Sequence, residues 1–177
     1  MGKSINIGIY FLIFGCILFS CGKANEKQNG GTHKTSPESL VNVNKYLVQK
    51  DKEAIENYIK RHKWEMEFVE SGLWYMIYEE GSGPNAEIGD VAIINYEISL
   101  LEGTVCYTSD SLHPKTFKIG QGGIESGLEQ GILLMKQGDK AKFILPPHLA
   151  HGLLGDEKKI PPRAVIVYDV ELKKIIH

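Results

Sequence analysis

Apolar and polar residues alternate through residues 90 to 101, where Ala92, Ile94, Tyr96, Ile98 and Leu100 fall on one side and Asn95, Glu97 and Ser99 on the other. Such a period of two predicts a strand with one buried face. The same alternation points Ala141, Phe143 and Leu145 inward from a second strand, and Ile166, Tyr168, Val170 and Leu172 inward from a last one. Leu73 to Tyr78 also reads as a strand, closed by the turn cluster Gly81-Ser82-Gly83-Pro84-Asn85. Between the strands the period changes. Leu128, Ile132 and Met135 lie on one stripe of a helix predicted over 128 to 137, with Gly138 just past its end. One helix against a curved antiparallel sheet makes residues 72 to 177 an α+β domain.

A helical period also precedes this domain. Ser36, Pro37 and Glu38 supply a cap, a preset first residue and an acid in the first turn, followed by Leu40, Val43, Leu47 and Val48. Asp51 is placed to cap a second helical stretch with Ile55, Tyr58 and Ile59 on one face, ending in the basic tract 60 to 63. This N-terminal helical segment, residues 37 to 71, carries an apolar stripe. It packs on its own domain or pairs as a homodimer with a second copy, and both readings stand at this point.

Further upstream the pattern is that of targeting. A basic residue at Lys3 precedes an uncharged apolar run from Ile5 to Phe19, too short for the roughly 20 residues of a membrane span, so residues 1 to 20 read as a signal peptide. The run ends in Leu18-Phe19-Ser20-Cys21, which resembles a lipobox and implies lipidation at Cys21. Residues 21 to 36 are then the lipidated cysteine and a polar, flexible stalk with too little apolar surface to fold. The expected location is the cell envelope, lipid-anchored, with Gly22 after the cysteine favouring the outer membrane facing the periplasm.

Composition narrows the classes of function. Twenty basic and 22 acidic residues give a net charge of -2, which offers no electrostatic case for nucleic acid. Of three cysteines, Cys16 belongs to the signal peptide and Cys21 to the lipid, leaving Cys106 without a partner for a disulfide and reading as a small buried hydrophobe. His148 and His151 lack a nearby cysteine or acid in their motif, so no metal is expected, and no other cofactor. The run from Gly120 to Gly123 lacks the Lys-Ser/Thr ending of a phosphate loop.

The segments VAIINYEISLLEGTV, FKIGQGGIESGLEQGILLMKQGDKAKFILPP, AHG and IPPRAVIVYDVEL together resemble the FKBP family of peptidyl-prolyl cis/trans isomerases across residues 72 to 177. The lipobox, stalk and helical segment further resemble FKBP-type lipoproteins associated with gliding motility. The resemblance implies an FKBP-like curved sheet wrapped around one short helix, and an apolar cup that receives a proline ring. Carried over by position, Tyr96, Phe117, Ile124, Ile160 and Tyr168 match the family's cup in type. Other positions depart from it: Leu128 stands for the floor tryptophan, Glu125 for an isoleucine and His151 for the loop tyrosine. Counted ungapped from Gly103, the strand phenylalanine falls on Cys106 and the next aspartate on Tyr107, while a shift of one gives Tyr107 the aromatic place. The Glu125 amide and the His151 ring are the implied donors to substrate carbonyls, the ring in a manner that depends on tautomer and pH.

Such a cup needs no nucleophile. Rotation about an X-Pro bond crosses a barrier of roughly 18 to 20 kcal/mol set by amide resonance, and the twisted amide is less polar than the planar one. A dry cup therefore binds the twisted form better, which is catalysis by differential binding. Two classes follow. One is a prolyl isomerase that assists folding of exported, proline-containing clients; the other is a binding or chaperone module of an envelope assembly that kept the cup for docking.

Overall fold

The structure, a computed structural model, describes residues 37–177. The signal peptide, the lipidation at Cys21, the stalk and the Ser36 cap lie outside the described residues. Among the described residues, seven strands form one antiparallel sheet: β1 (Glu67–Phe68), β2 (Trp74–Glu79), β3 (Val91–Leu100), β4 (Val105–Thr108), β5 (Lys115–Lys118), β6 (Lys140–Leu145) and β7 (Ile166–Ile176). Their order is β1-β2-β6-β7-β3-β4, with β5 also paired to β3. Register shifts at Ile77/Glu79, Ile93/Ile94 and Ile98/Ser99 mark where the sheet bends.

The alternation in the sequence fixes what each face does. Ala92, Ile94, Tyr96, Ile98 and Leu100 are all buried, as are Ala141, Phe143, Leu145, Ile166, Tyr168, Val170 and Leu172. Against this face lies α3 (Ser126–Ile132), contributing Leu128 and Ile132. The helix is shorter than the expected 128 to 137. After Ile132 the chain turns by short-range bonds, Leu134 N to Gly131 O and Met135 N to Ile132 O, and Gln137 N bonds to Pro84 O. Met135 stays buried, and Gly138, at φ 98°, serves the turn into β6 rather than a helix end. A short helix, α2 (Ser109–Leu112), capped by the Thr108 side chain, links β4 to β5.

The opposite face of the sheet is covered by α1 (Pro37–His62). Ile144 and Val167, paired in register on β6 and β7, are buried there beneath Ile55 and Tyr58. The helix is one uninterrupted rod where the spacing predicted two stretches. No Gly or Pro interrupts 38 to 62, and Asp51 does not cap: its carboxylate receives the Arg163 guanidinium at 2.8 Å, tying the helix to the loop before β7. Past His62, Lys63 turns the chain with φ 56°, and Trp64 and Met66 join the cluster under the helix. The helical segment thus ends at His62, and Glu67–Phe68 already belongs to the sheet, pairing with Tyr75 and Trp74. The two halves of α1 differ in burial. Its second half packs on its own domain, while Leu40, Val43 and Tyr46 in the first half are 57%, 50% and 60% exposed. No helix among the described residues is long and apolar enough to cross a membrane.

Candidate functional site

The inward face of the sheet gathers most of the predicted site residues around one core. Tyr96 on β3 and Tyr168 on β7 stand with ring centroids 6.3 Å apart, placed by the strand pairing of Ile98 with Tyr168 and Tyr96 with Val170. Leu128 on α3 and Ile160, in the loop before β7, are buried in the same cluster. Tyr107, Phe117 and Ile124 are partly buried against it. The close approach of α3 is set by small residues: a Cβ at Gly127 would lie 2.6 Å from the Leu145 side chain, and one at Gly131 would lie 2.7 Å from the Phe143 ring.

A cleft of about 420 Å³ opens beside this cluster, lined by Lys115, Gly123, Ile124, Glu125, Ala150 and His151. Its chemistry differs from the dry, apolar cup that the resemblance implies. Glu125, expected to contribute its amide, turns its side chain inward, where only 8% of it stays exposed. The Tyr168 hydroxyl donates to Glu125 Oε1 at 2.9 Å, and His151 Nε2 lies 3.0 Å from the same oxygen, out of line for a hydrogen bond. The second oxygen, Oε2, is buried without a hydrogen bond, 3.5 Å from Lys115 Nζ. Burial alone would raise the carboxyl's pKa, but the Lys115 ammonium, the backbone, the Tyr168 hydroxyl and His151 outweigh it and hold it below its ordinary value. The Tyr168 hydroxyl is pushed well above its usual range, first by burial and then by the adjacent carboxylate. One wall of the cleft is therefore an ionised carboxylate bound to a neutral phenol.

Lys115 was not among the predicted site residues. It stands two positions before Phe117 on β5, and a period of two puts both on the same side; both are half-buried while Thr116 and Lys118 are exposed. Its ammonium lies 5.2 Å above the Tyr96 ring. A lysine at that spacing from an inward aromatic was the signal available in the sequence.

Cys106 and Tyr107 differ in burial and in partners. Cys106 takes the inward place on β4, 2% exposed, its thiol raised first by burial and then by Asp156 and Glu102. Tyr107 instead reaches the loop before β7, where its hydroxyl donates to Asp156. Asp156 Oδ1 also accepts the amides of Lys158 at 2.9 Å and Ile160 at 2.7 Å, so this carboxylate shapes the loop that presents Ile160. Burial opposes its charge, yet the Tyr107 hydroxyl and the amides of Ile160, Lys158 and Lys159 lower its pKa to about 2. Two basic residues of this loop are engaged: Arg163 binds Asp51, and Lys159 lies 5.2 Å over the Tyr107 ring. His148 and His151 serve different partners, the first reaching the Ser71 carbonyl at 2.8 Å and the second facing Glu125.

A bent antiparallel sheet, one short helix against its inner face and an open cleft beside the Tyr96 and Tyr168 cluster agree with the prolyl-isomerase class of α+β domains. The family model for FKBP-type peptidyl-prolyl cis-trans isomerases matches residues 83–173, and the chain belongs to that family. Among its relatives, the probable FKBP-type peptidyl-prolyl cis-trans isomerase FkpA of Neisseria meningitidis is 34% identical over 138 residues, 76% of this chain and 50% of that protein. The FK506-binding protein 2 of Yarrowia lipolytica is 35% identical over 108 residues, 60% of this chain and 75% of that one. Of solved structures, FkpA from Escherichia coli superposes with a TM-score of 0.63 at 28% identity, covering 77% of this chain and 64% of its own. AtFKBP13 does so with 0.60 at 32% identity, covering 63% and 99%. The chain thus spans about half the length of the Neisseria FkpA.

Proposed function

We propose that this chain is an active peptidyl-prolyl cis/trans isomerase that assists the folding of exported or envelope proteins. The observation that carries the reading is the convergence of Tyr96, Leu128, Ile160 and Tyr168, from two strands, one helix and one loop, on a single core beside an open cleft. No group there is a nucleophile in waiting, and none is needed. The proline ring enters the cleft, the amides at its mouth hold the neighbouring carbonyls, and the low-dielectric wall favours the twisted, less polar X-Pro bond. The alternative, a peptide-binding module without turnover, draws on Glu125, Leu128 and His151, which make this cup more polar and less aromatic than the resemblance implies.

The test is the isomerisation rate of an X-Pro tetrapeptide and of a protein whose refolding is limited by proline, using the chain with Cys21 replaced by Ser. Catalysis that disappears in Tyr168→Ala, with the far-ultraviolet spectrum unchanged, supports the enzyme and its pocket. A folded protein that accelerates neither substrate decides for the binding module.

The finer assignment rests on sequence and on α1. A lipid at Cys21 would hold the domain at the envelope membrane, with the outer membrane facing the periplasm as the location and a link to gliding motility as the context; mass spectrometry of the membrane-extracted chain tests the lipid. The exposed apolar half of α1 leads into a groove of about 450 Å³ lined in part by Val48, Ile55, Phe68 and Trp74. A second copy's α1 is its occupant in this reading, because Leu40, Val43 and Leu47 continue that stripe at helical spacing beyond the domain. Leu40→Lys with Leu47→Lys is expected to turn a dimer into a monomer in sedimentation.

A further inference from the structure

Glu125 is an ionised side chain in the place where the family reading puts an apolar wall. Glu125 lines the cleft and its Oε1 is held at the Tyr168 hydroxyl against the core, so a proline ring seated on Tyr168 would displace the carboxylate. An entering peptide has to move it towards the mouth of the cleft. What the carboxylate meets there decides how much that movement costs. Its contacts to the two bases are poor: Lys115 lies 3.5 Å away with no hydrogen bond made, and His151 is out of line. Lys115 and His151 are 28% and 25% exposed and can turn to water, whereas Oε2 is a buried acceptor with nothing bonded to it. A buried anion with an unfilled acceptor site is stabilised most by a charged donor brought to it.

We propose that Glu125 is a specificity-determining residue that makes the cup prefer prolines flanked by lysine or arginine and disfavour those flanked by aspartate or glutamate. The inference rests on the isomerase reading and adds its substrate class. A basic side chain beside the proline gives the displaced carboxylate a partner and fills Oε2, letting Lys115 swing from its long contact into solvent. An uncharged neighbour leaves the displaced carboxylate with only the long Lys115 contact, so the bond to the Tyr168 hydroxyl is lost without a comparable replacement. An acidic neighbour adds like charge at short range inside a cleft of low dielectric.

The experiment compares three tetrapeptides that differ only in having Lys, Leu or Glu before the proline, and a second set with the same residues after it. Turnover and binding are measured for the full-length chain in detergent and for Glu125→Gln and Glu125→Ile. In at least one set kcat/KM is expected to fall about tenfold from Lys to Leu, the equivalent of 1.4 kcal/mol, and to fall again for Glu. Glu125→Gln is expected to bring the three within about twofold of each other, and Glu125→Ile to favour Leu. Loss of folded protein scales all three peptides alike, so the Lys-to-Glu ratio within one variant reads specificity alone. Equal rates for all three on the unaltered chain, or a spread that survives Glu125→Gln, overturn the inference and leave the isomerase standing. A folded chain that neither binds nor turns over any of them overturns both.

Discussion

At the scale of single residues, Tyr168 holds the site together by one hydroxyl. Its ring is fully buried, and its proton goes to an anion that has no other well-aligned side-chain donor. Tyr168→Phe keeps the ring and deletes that bond, leaving a buried carboxylate less satisfied; a loss of about 1–3 kcal/mol is expected in urea unfolding. The pH dependence has a definite sign. The folded carboxyl titrates below its ordinary 4.5, so its contribution to stability is complete above that value and is lost as pH falls through it towards the folded pKa. With one of the bonds that lower it removed, Tyr168→Phe narrows that gap, and its acid unfolding is expected to be less steep than that of the unaltered chain. The sequence showed which positions face inward, since alternation alone places Tyr96 and Tyr168. It did not show the Glu125 side chain turned among them, because a glutamate after Ile124 and before a helix start reads by pattern as a solvated residue. Gly131 is a second residue-scale constraint. Its missing Cβ would fall 2.7 Å from the buried Phe143 ring, so Gly131→Ala is expected to cost on the order of 1–3 kcal/mol despite alanine's better helix propensity.

At the scale of elements, the loop between β6 and β7 shows how an irregular segment is made to present a pocket residue. Twenty residues separate Leu145 from Ile166, and only the turn Pro147–Leu149 is regular. Asp156 supplies what secondary structure does not, binding the Tyr107 hydroxyl and the amides of Lys158 and Ile160. Asp156→Ala is expected to speed amide exchange at Lys158 and Ile160 and to lower kcat/KM several-fold while moving the unfolding midpoint little; Tyr107→Phe is expected to do the same more weakly. A variant that exchanges no faster would show that Pro161 and Pro162 set the loop unaided. Strands β3, β6 and β7 were legible because their inward apolar residues recur at every second position, although Ile144 and Val167 interrupt the polar side of β6 and β7. The two-residue β1 carries no period, and α1 was read as two stretches because Asp51 is as good a cap as a sequence can offer. What outweighed the cap was a tertiary partner, Arg163, whose position no local pattern reveals. The same cause shortened α3: Leu133 to Gln137 keep a helical period, but Lys136 pairs with Asn85 and Gln137 with Pro84, long-range bonds that end the helix early.

At the scale of the whole molecule, the question is whether α1 is an appendage or part of the folding unit. The sheet between α1 and the cup is one layer thick, and β6 and β7 are buried on both faces: Phe143 and Tyr168 towards the cup, Ile144 and Val167 towards the helix. A strand packed on both sides couples what lies on either side of it. Ile55, 1% exposed, sits at the centre of the helix seam, and Ile55→Ala is expected to cost about 2–5 kcal/mol. The chain carries two tryptophans, Trp64 and Trp74, and both border that seam. Their fluorescence therefore reports the docking of α1, while the NMR signals of the Tyr96 and Tyr168 amides report the cup. If α1 belongs to the folding unit, both probes of Ile55→Ala move to the same lower midpoint in urea, because the helix cannot leave without exposing Ile144 and Val167. An appendage would give a tryptophan transition that runs ahead of an unshifted cup transition. The doubly buried strands make the first outcome the expected one, and with it a further consequence: weakening the seam is expected to lower the proposed isomerase activity near the midpoint in proportion to the unfolded fraction, although Ile55 lies on the opposite face of the sheet from the Tyr96 and Tyr168 cluster.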